Sequence, residues 1–174
     1  MPGERRETRY RVETLGKQHE RSGFSCGSPP LDRYLKTQAG QDARKRVAAP
    51  FVLCEGEAQA VLGYYTLSAI SVDIGDWPED VANKLPRYPV VPATLMGRLA
   101  IQQRLQGQGA GDYLLMNALY RSLQASRQVA AVAVIVDVKD ERAAAFYRHY
   151  EFTRFRHRLD RLYLPMGIIE KLFA

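Results

Sequence analysis

No apolar run in the chain reaches the ~18–20 residues that a membrane-spanning helix needs. The first residues, MPGERRETRYRVE, have no apolar core, so no secretory signal is expected there. Glu4 and Glu7 also interrupt the basic face that a mitochondrial address would show. Cysteine is scarce. Cys26 and Cys54 are the only two, which excludes a disulfide scaffold or a zinc ribbon and fits a reducing, cytoplasmic setting. Internal repeats, low-complexity tracts and interdomain linkers are missing, so residues 1–174 read as one domain, with residues 1–9 expected as a flexible basic arm. No metal site is expected.

What is present is positive charge. The chain holds 25 Lys and Arg against 19 Asp and Glu, a net +6, and the basic residues are mostly arginine. The planar guanidinium fork suits phosphate, so an anionic partner is expected, though charge alone does not choose one.

Element signals place the motifs. A short strand is expected near Tyr10–Glu13. Ser28-Pro29-Pro30 opens a helix, continued by Leu31, Tyr34, Leu35 and Gln38 at helical spacing and ended by Arg44-Lys45-Arg46. Phe51–Glu55 and Val61–Val72 read as strands joined by a turn at Glu55-Gly56-Glu57. Residues 73–92 carry Pro78, Pro86, Pro89 and Pro92, a density that predicts a long connection without helix or central strand. Leu95–Ile101 is the next strand, followed by a helix from about Asp112 to Ser126. Ala130–Asp137 is the kind of run that suits a strand buried on both faces. Asp140 caps a helix to about Tyr150, then Phe152–Arg158 and Arg161–Pro165 close the chain as strands, with a last helical turn over Gly167–Phe173.

The strongest local signal is the turn Gln106-Gly107-Gln108-Gly109-Ala110-Gly111 between strand and helix. Glycines there let the backbone bend tightly, and the helix behind points its first amides at a ligand, which implies a phosphate or pyrophosphate. Asp112-Tyr113 stands where a nucleotide-hydrolase loop needs Lys-Ser or Lys-Thr, and the two-by-two glycine spacing does not fit the dinucleotide fingerprint. A second signal is Asp140-Glu141-Arg142-Ala143-Ala144-Ala145-Phe146-Tyr147. Its Tyr147 either points a phenol into a groove between strands or is a core aromatic beside Phe146.

These residues carry a resemblance to the GNAT-fold N-acetyltransferases. Gln106-x-x-Gly109-x-Gly111 is similar to the family's acetyl-CoA loop, and Arg104-x-x-Gly107-x-Gly109 fits out of frame by two. Asp140, Ala143, Phe146, Tyr147 and Phe152 match the later family pattern, with Glu151 where the family usually has glycine. The chain most closely resembles the GNAT toxins of bacterial toxin–antitoxin pairs. The matching pieces are Phe24-Ser25-Cys26-Gly27, Leu31–Leu35, Gly63-Tyr64-Tyr65-Thr66-Leu67-Ser68, Leu85-Pro86-Arg87-Tyr88-Pro89 and Gly97-Arg98-Leu99-Ala100-Ile101.

The resemblance implies an α/β (α+β) GNAT fold, with a mixed, mostly antiparallel sheet splayed at the cofactor strand and flanked by helices. It implies transfer of acetyl from acetyl-CoA to the α-amino group of an aminoacyl-tRNA, which blocks translation. It also implies a ribbon-helix-helix antitoxin as partner and a homodimer. By the same resemblance, Gln106, Gly107, Gln108, Gly109, Ala110, Gly111 and Asp112 hold the pyrophosphate, and the backbone of Leu99, Ala100 and Ile101 aligns the pantetheine arm. Tyr147 is the general acid. His19, His149 and His157 match no family site and read as structural or solvated. An α-amino group titrates near pH ~8 and an ester-linked aminoacyl group is expected lower still, so much of it is neutral at cellular pH without a strong base. Arg98 contacts tRNA or holds an ion pair. Arg44, Lys45 and Arg46, with Arg87, form a tRNA track or end a solvated helix. Trp77 lines an acceptor pocket or anchors packing. Two other classes remain: a GNAT enzyme of a small amine or protein N-terminus, and a non-catalytic basic RNA-binding module.

Overall fold

The computed structural model describes residues 10–174, so the expected arm at 1–9, with Arg5, Arg6 and Arg9, lies outside the described residues. The strands are β1 Tyr10–Thr14, β2 Ala49–Glu55, β3 Gly63–Asp73, β4 Val90–Ile101, β5 Ala133–Asp137, β6 Thr153–Arg154 and β7 Arg161–Pro165. The helices are α1 Pro29–Thr37, α2 Ala39–Lys45, α3 Glu79–Ala82, α4 Ala110–Ser126, α5 Glu141–His149 and α6 Met166–Leu172. The seven strands form a sheet in the order β1-β2-β3-β4-β5-β7-β6. β1 with β2, β5 with β7 and β6 with β7 run antiparallel, while β4 and β5 run parallel. This is the expected mixed, mostly antiparallel α/β architecture. Among the described residues no helix is long and apolar enough to cross a membrane.

The chain groups into two compact units. One comprises the described residues through Thr66 with Arg98–Asn117, and the other comprises Leu67–Gly97 with Ala118–Ala174. The first has a core of Phe24, Tyr34, Leu35, Val52, Cys54 and Tyr64, in which the Tyr64 hydroxyl donates to the Leu31 carbonyl at 2.7 Å. The second is built on Val72, Val91, Ile135, Phe155, Tyr163 and Trp77. Trp77 is 2% exposed, with its ring 4.9 Å from Phe155 and 5.0 Å from Tyr163. It is a packing anchor.

Four local expectations change. The single helix expected over Pro29–Arg46 is two, because Gln38 leaves helical geometry (φ −120°) and turns its amide to Asp42 Oδ1 at 2.8 Å. Ser28 precedes α1 without a side-chain cap bond; Asp32 Oδ1 instead accepts from the Cys26 amide at 2.9 Å. The proline-rich connection holds α3, which begins directly after Pro78, and β4 begins at Val90 and runs through Pro92. Pro92 lacks a donor, but its carbonyl still accepts from the Val132 amide at 2.9 Å, so the strand tolerates it. The strand expected over Phe152–Arg158 shrinks to Thr153–Arg154, where the Arg154 guanidinium donates to Glu141 at 2.7 and 2.8 Å and to the Leu159 carbonyl at 2.9 Å, turning the chain.

Glu151 adopts φ 71°, the left-handed conformation that the family pattern fills with glycine. That conformation costs an L-residue roughly 1–2 kcal/mol, against about 0.4–1 kcal/mol of unfolded-state entropy that a glycine adds. Glu151→Gly is therefore expected to raise unfolding stability by about 0.5–1 kcal/mol, read as a higher denaturation midpoint. A lower midpoint contradicts the strain.

Candidate active site

The glycine turn is built in three steps. β4 ends at Ile101, a 3₁₀ turn covers Gln103–Leu105, and α4 starts at Ala110. Gly107 and Gly109 take φ 77° and 88°, and a Cβ placed on either meets nothing within 4 Å. The turn is thus open toward solvent, and glycine is required there by conformation, not by crowding. Gly111 lies inside the first turn of α4, where amides have no helical acceptor.

Glutamine side chains clamp this turn from behind. The Gln106 amide donates to the carbonyls of Cys26 at 2.8 Å and Ile101 at 3.1 Å. Gln102 accepts from the Ser25 amide at 2.6 Å and donates to the Gly23 carbonyl at 3.2 Å. Gln108 closes on the Arg104 carbonyl at 2.9 Å. Both side-chain donors of Gln106 are therefore spent on the protein itself and Gln108 keeps one, so an anion at the turn meets chiefly backbone amides and the positive end of the helix dipole. This Gln102–Gln106 clamp on residues 23–27 was not foreseen from the sequence, because its partners lie about eighty residues apart.

The strand expected to align the cofactor is β4. β4 pairs with β5 only at Thr94–Met96, opposite Val134–Val136, yet continues to Ile101. Ala100 and Ile101 are buried, and Gln102 donates its backbone amide to the Leu62 carbonyl at 2.8 Å. Gly63 packs tightly against this stretch. A Cβ there would lie 2.6 Å from Ile101 Cδ1 and 2.9 Å from the Ala100 carbonyl oxygen. Backbone cannot yield as a side chain does, so Gly63→Ala is expected to destabilise by about 1–3 kcal/mol. A thermal melt unchanged from the parent protein contradicts that.

Tyr147 belongs to the other unit. Asp140 Oδ1 accepts from the Ala143 amide at 2.8 Å and starts α5, whose inward face is Ala144 and Tyr147. The Tyr147 ring sits 5.2 Å from Phe146 and 5.3 Å from Phe152, edge-on to both, and the residue is 8% exposed. Burial pushes the phenol well above its ordinary value, so it holds its proton.

Arg98 does not make the ion pair that was one of its two expected roles. Its guanidinium lies 3.5 Å from the centre of the Tyr34 ring, a cation–π contact, and no carboxylate of the described residues pairs with it. The Tyr34 hydroxyl donates to Asp42 Oδ2 at 2.7 Å; burial first and this bond second push the Tyr34 phenol up to about 12. Arg44, Lys45 and Arg46 are exposed at the end of α2, with Arg46 in the left-handed region at φ 59°, and Arg87 is exposed in the proline-rich connection.

His19 and the two cysteines are buried inside the protein. The His19 Nδ1 accepts from the Gly16 amide at 2.8 Å, and Nε2 lies 2.7 Å from Glu13 Oε1. Glu13, His19 and Cys54 offer ligand atoms within 4.8 Å of one another. The Gly16 amide, however, fixes the ring proton on Nε2, where a cation would need the lone pair. Desolvation, then Asp32, raises the Cys26 thiol to about 11, and burial raises Cys54 as well, so both thiols are inert near neutrality.

No family model matches the chain. It is 35% identical over 131 residues, 75% of this chain and 76% of the other, to a tRNA-acetylating toxin of Mycobacterium tuberculosis. It is 27% identical over 163 residues, 90% of each chain, to the probable toxin TacT of Sinorhizobium fredii. Its fold matches a tyrosine-to-phenylalanine mutant of KacT with a TM-score of 0.89 at 29% identity, covering 95% of this chain and 99% of that one. It matches AtaT complexed with acetyl-methionyl-tRNAfMet with a TM-score of 0.88 at 29% identity and the same coverage. An AtaT mutant bound to acetyl-CoA and to the C-terminus of the antitoxin AtaR matches with a TM-score of 0.81 at 27% identity, covering 95% of this chain and 99% of that one.

Proposed function

Because the chain belongs to the GNAT toxins that acetylate tRNA, we propose that it transfers acetyl from acetyl-CoA to the α-amino group of an aminoacyl-tRNA and thereby blocks translation. The observation that carries the cofactor half is the open glycine turn at the mouth of α4, with Gly107 and Gly109 at positive φ. Acetyl-CoA supplies an activated acetyl group as a thioester. The backbone amides of Gln108–Asp112 hold its pyrophosphate, with Gln106 fixing the turn through Cys26 and Ile101. The backbone of Leu99–Ile101 aligns the pantetheine arm, and an amide near Ile101 stabilises the negative charge that develops on the acetyl oxygen.

The substrate amine attacks in its neutral form, the carbon–sulfur bond breaks, and Tyr147 gives its phenolic proton to the departing sulfur. The proton lost by the amine passes to solvent, from which Tyr147 is reprotonated. No metal is needed for this chemistry. Arg44, Lys45, Arg46 and Arg87 are the proposed tRNA contacts. Arg98, held on the Tyr34 ring, is the proposed positioning cation of that set.

The proposal covers residues 1–174 as one cytoplasmic domain that forms a homodimer and is neutralised by a ribbon-helix-helix antitoxin. In a reconstituted translation system, protein plus acetyl-CoA is expected to arrest synthesis, while protein without acetyl-CoA does not. Arrest that ignores acetyl-CoA would point instead to a basic RNA-binding module.

A further inference from the structure

The proline-rich connection between β3 and β4 enters the proposed function only through Arg87. It lines an open surface pocket of about 480 Å³, apolar at Ile74, Leu85 and Pro89 and polar at Asn83, Arg87 and Tyr88. That volume lies within the ~300–1,000 Å³ range of ligand sites. Tyr88 is 64% exposed. The segment is ordered by its backbone. Pro86 and Pro89 fix their own φ, the Tyr88 amide donates to the Pro86 carbonyl at 2.9 Å, and the Ile74 amide donates to the Pro89 carbonyl at 3.0 Å. The segment therefore presents Arg87 and Tyr88 outward on a stiff frame. Among the described residues no carboxylate pairs with Arg87 or Lys84, whereas Glu79, on the same connection, is taken by Arg156 at 3.5 Å.

The pocket thus combines a flat aromatic face, an unneutralised guanidinium, an amide that both donates and accepts, and an apolar wall. A ligand that uses all four has a planar heteroaromatic ring, hydrogen-bonding edges and a phosphate. Unpaired RNA bases are held by this chemistry, stacked on tyrosine with a basic side chain on the backbone. A duplex would use the cation alone and leave Tyr88 idle. Building on the tRNA-acetylating function proposed above, we infer that this pocket takes an unpaired nucleotide from the single-stranded 3′ end of the tRNA substrate. Tyr88 stacks on the base, Arg87 meets its phosphate, and Asn83 reads its edge. Tyr88 is a positioning residue in this scheme, because it fixes the acceptor strand without touching the reacting atoms.

The test measures binding of a short single-stranded RNA with the tRNA 3′-terminal sequence, and of a blunt RNA duplex of equal length, to the full chain and to Tyr88→Ala and Tyr88→Phe. Tyr88→Ala is expected to weaken single-stranded RNA about ten- to a hundredfold and to leave the duplex within about twofold. Tyr88→Phe keeps the ring and retains binding. In acetylation assays Tyr88→Ala raises KM for charged tRNA in proportion, with kcat and KM for acetyl-CoA unchanged. Exposure of Tyr88 makes these variants safe to fold, and a thermal melt checks it. Equal loss for duplex and single strand, or unchanged RNA binding in Tyr88→Ala, overturns the inference. Acetylation of charged tRNA by the unmutated protein, run alongside, separates the outcomes. Its absence defeats the proposed function, whereas its presence with an unaffected Tyr88→Ala defeats only the pocket.

Discussion

Tyr147→Phe is expected to lower acetyl transfer by about 10²–10⁴-fold, the usual worth of a positioned proton donor, while acetyl-CoA binds as before. The substitution deletes one oxygen and keeps the ring that packs against Phe146 and Phe152 at 5.2 and 5.3 Å, so the fold is retained. The pH dependence sharpens this. Burial raises the phenol above its ordinary value, so the neutral form is the one the fold favours. Tyr147 therefore carries its proton at every pH below the unfolded tyrosine value of about 10, and any stability tied to that proton is lost only above it. The rate should rise as the substrate amine loses its proton, near or below pH ~8, and then stay level to about pH 10. A descending limb between about pH 7 and 9 would remove Tyr147 from the role of acid. So would a Tyr147→Phe protein that acetylates at the parent rate.

Gly109→Ala is expected to weaken acetyl-CoA about tenfold without abolishing the fold. At φ 88° the added methyl meets no neighbour within 4 Å, so the effect is conformational. Holding an L-residue there costs roughly 1–2 kcal/mol, and every 1.4 kcal/mol is a factor of ten. The free turn relaxes to avoid this cost and must be forced back when pyrophosphate docks, so the loss falls on binding. Calorimetric titration with CoA reads it directly. Affinity unchanged within twofold would mean that the turn does not hold the pyrophosphate.

The residues that were legible in the sequence act through neighbours in the chain. Asp140 caps α5 because its carboxylate reaches an amide three residues on, and the turn glycines announce themselves by spacing alone. The site residues whose surroundings were hidden act across the chain. Arg98 meets Tyr34, and Gln106 meets Cys26, only after the strands have paired, and no local pattern encodes either contact. The same holds for element boundaries. The break at Gln38 has no proline to mark it, and Pro92 disguised the first five residues of β4 because its lost donor is not needed where it stands. Tyr147 lies between these cases. Its position was readable, but its burial, which keeps the proton in place, was not.

One measurement bears most directly on the central claim. The protein is incubated with isotopically labelled acetyl-CoA and a full set of charged tRNAs, and the aminoacyl ends are released and weighed by mass spectrometry. The account predicts acetyl on the α-amino group of at least one aminoacyl-tRNA, absent in Tyr147→Phe. Label found only on small amines or protein N-termini, or on no charged tRNA at all, would contradict it.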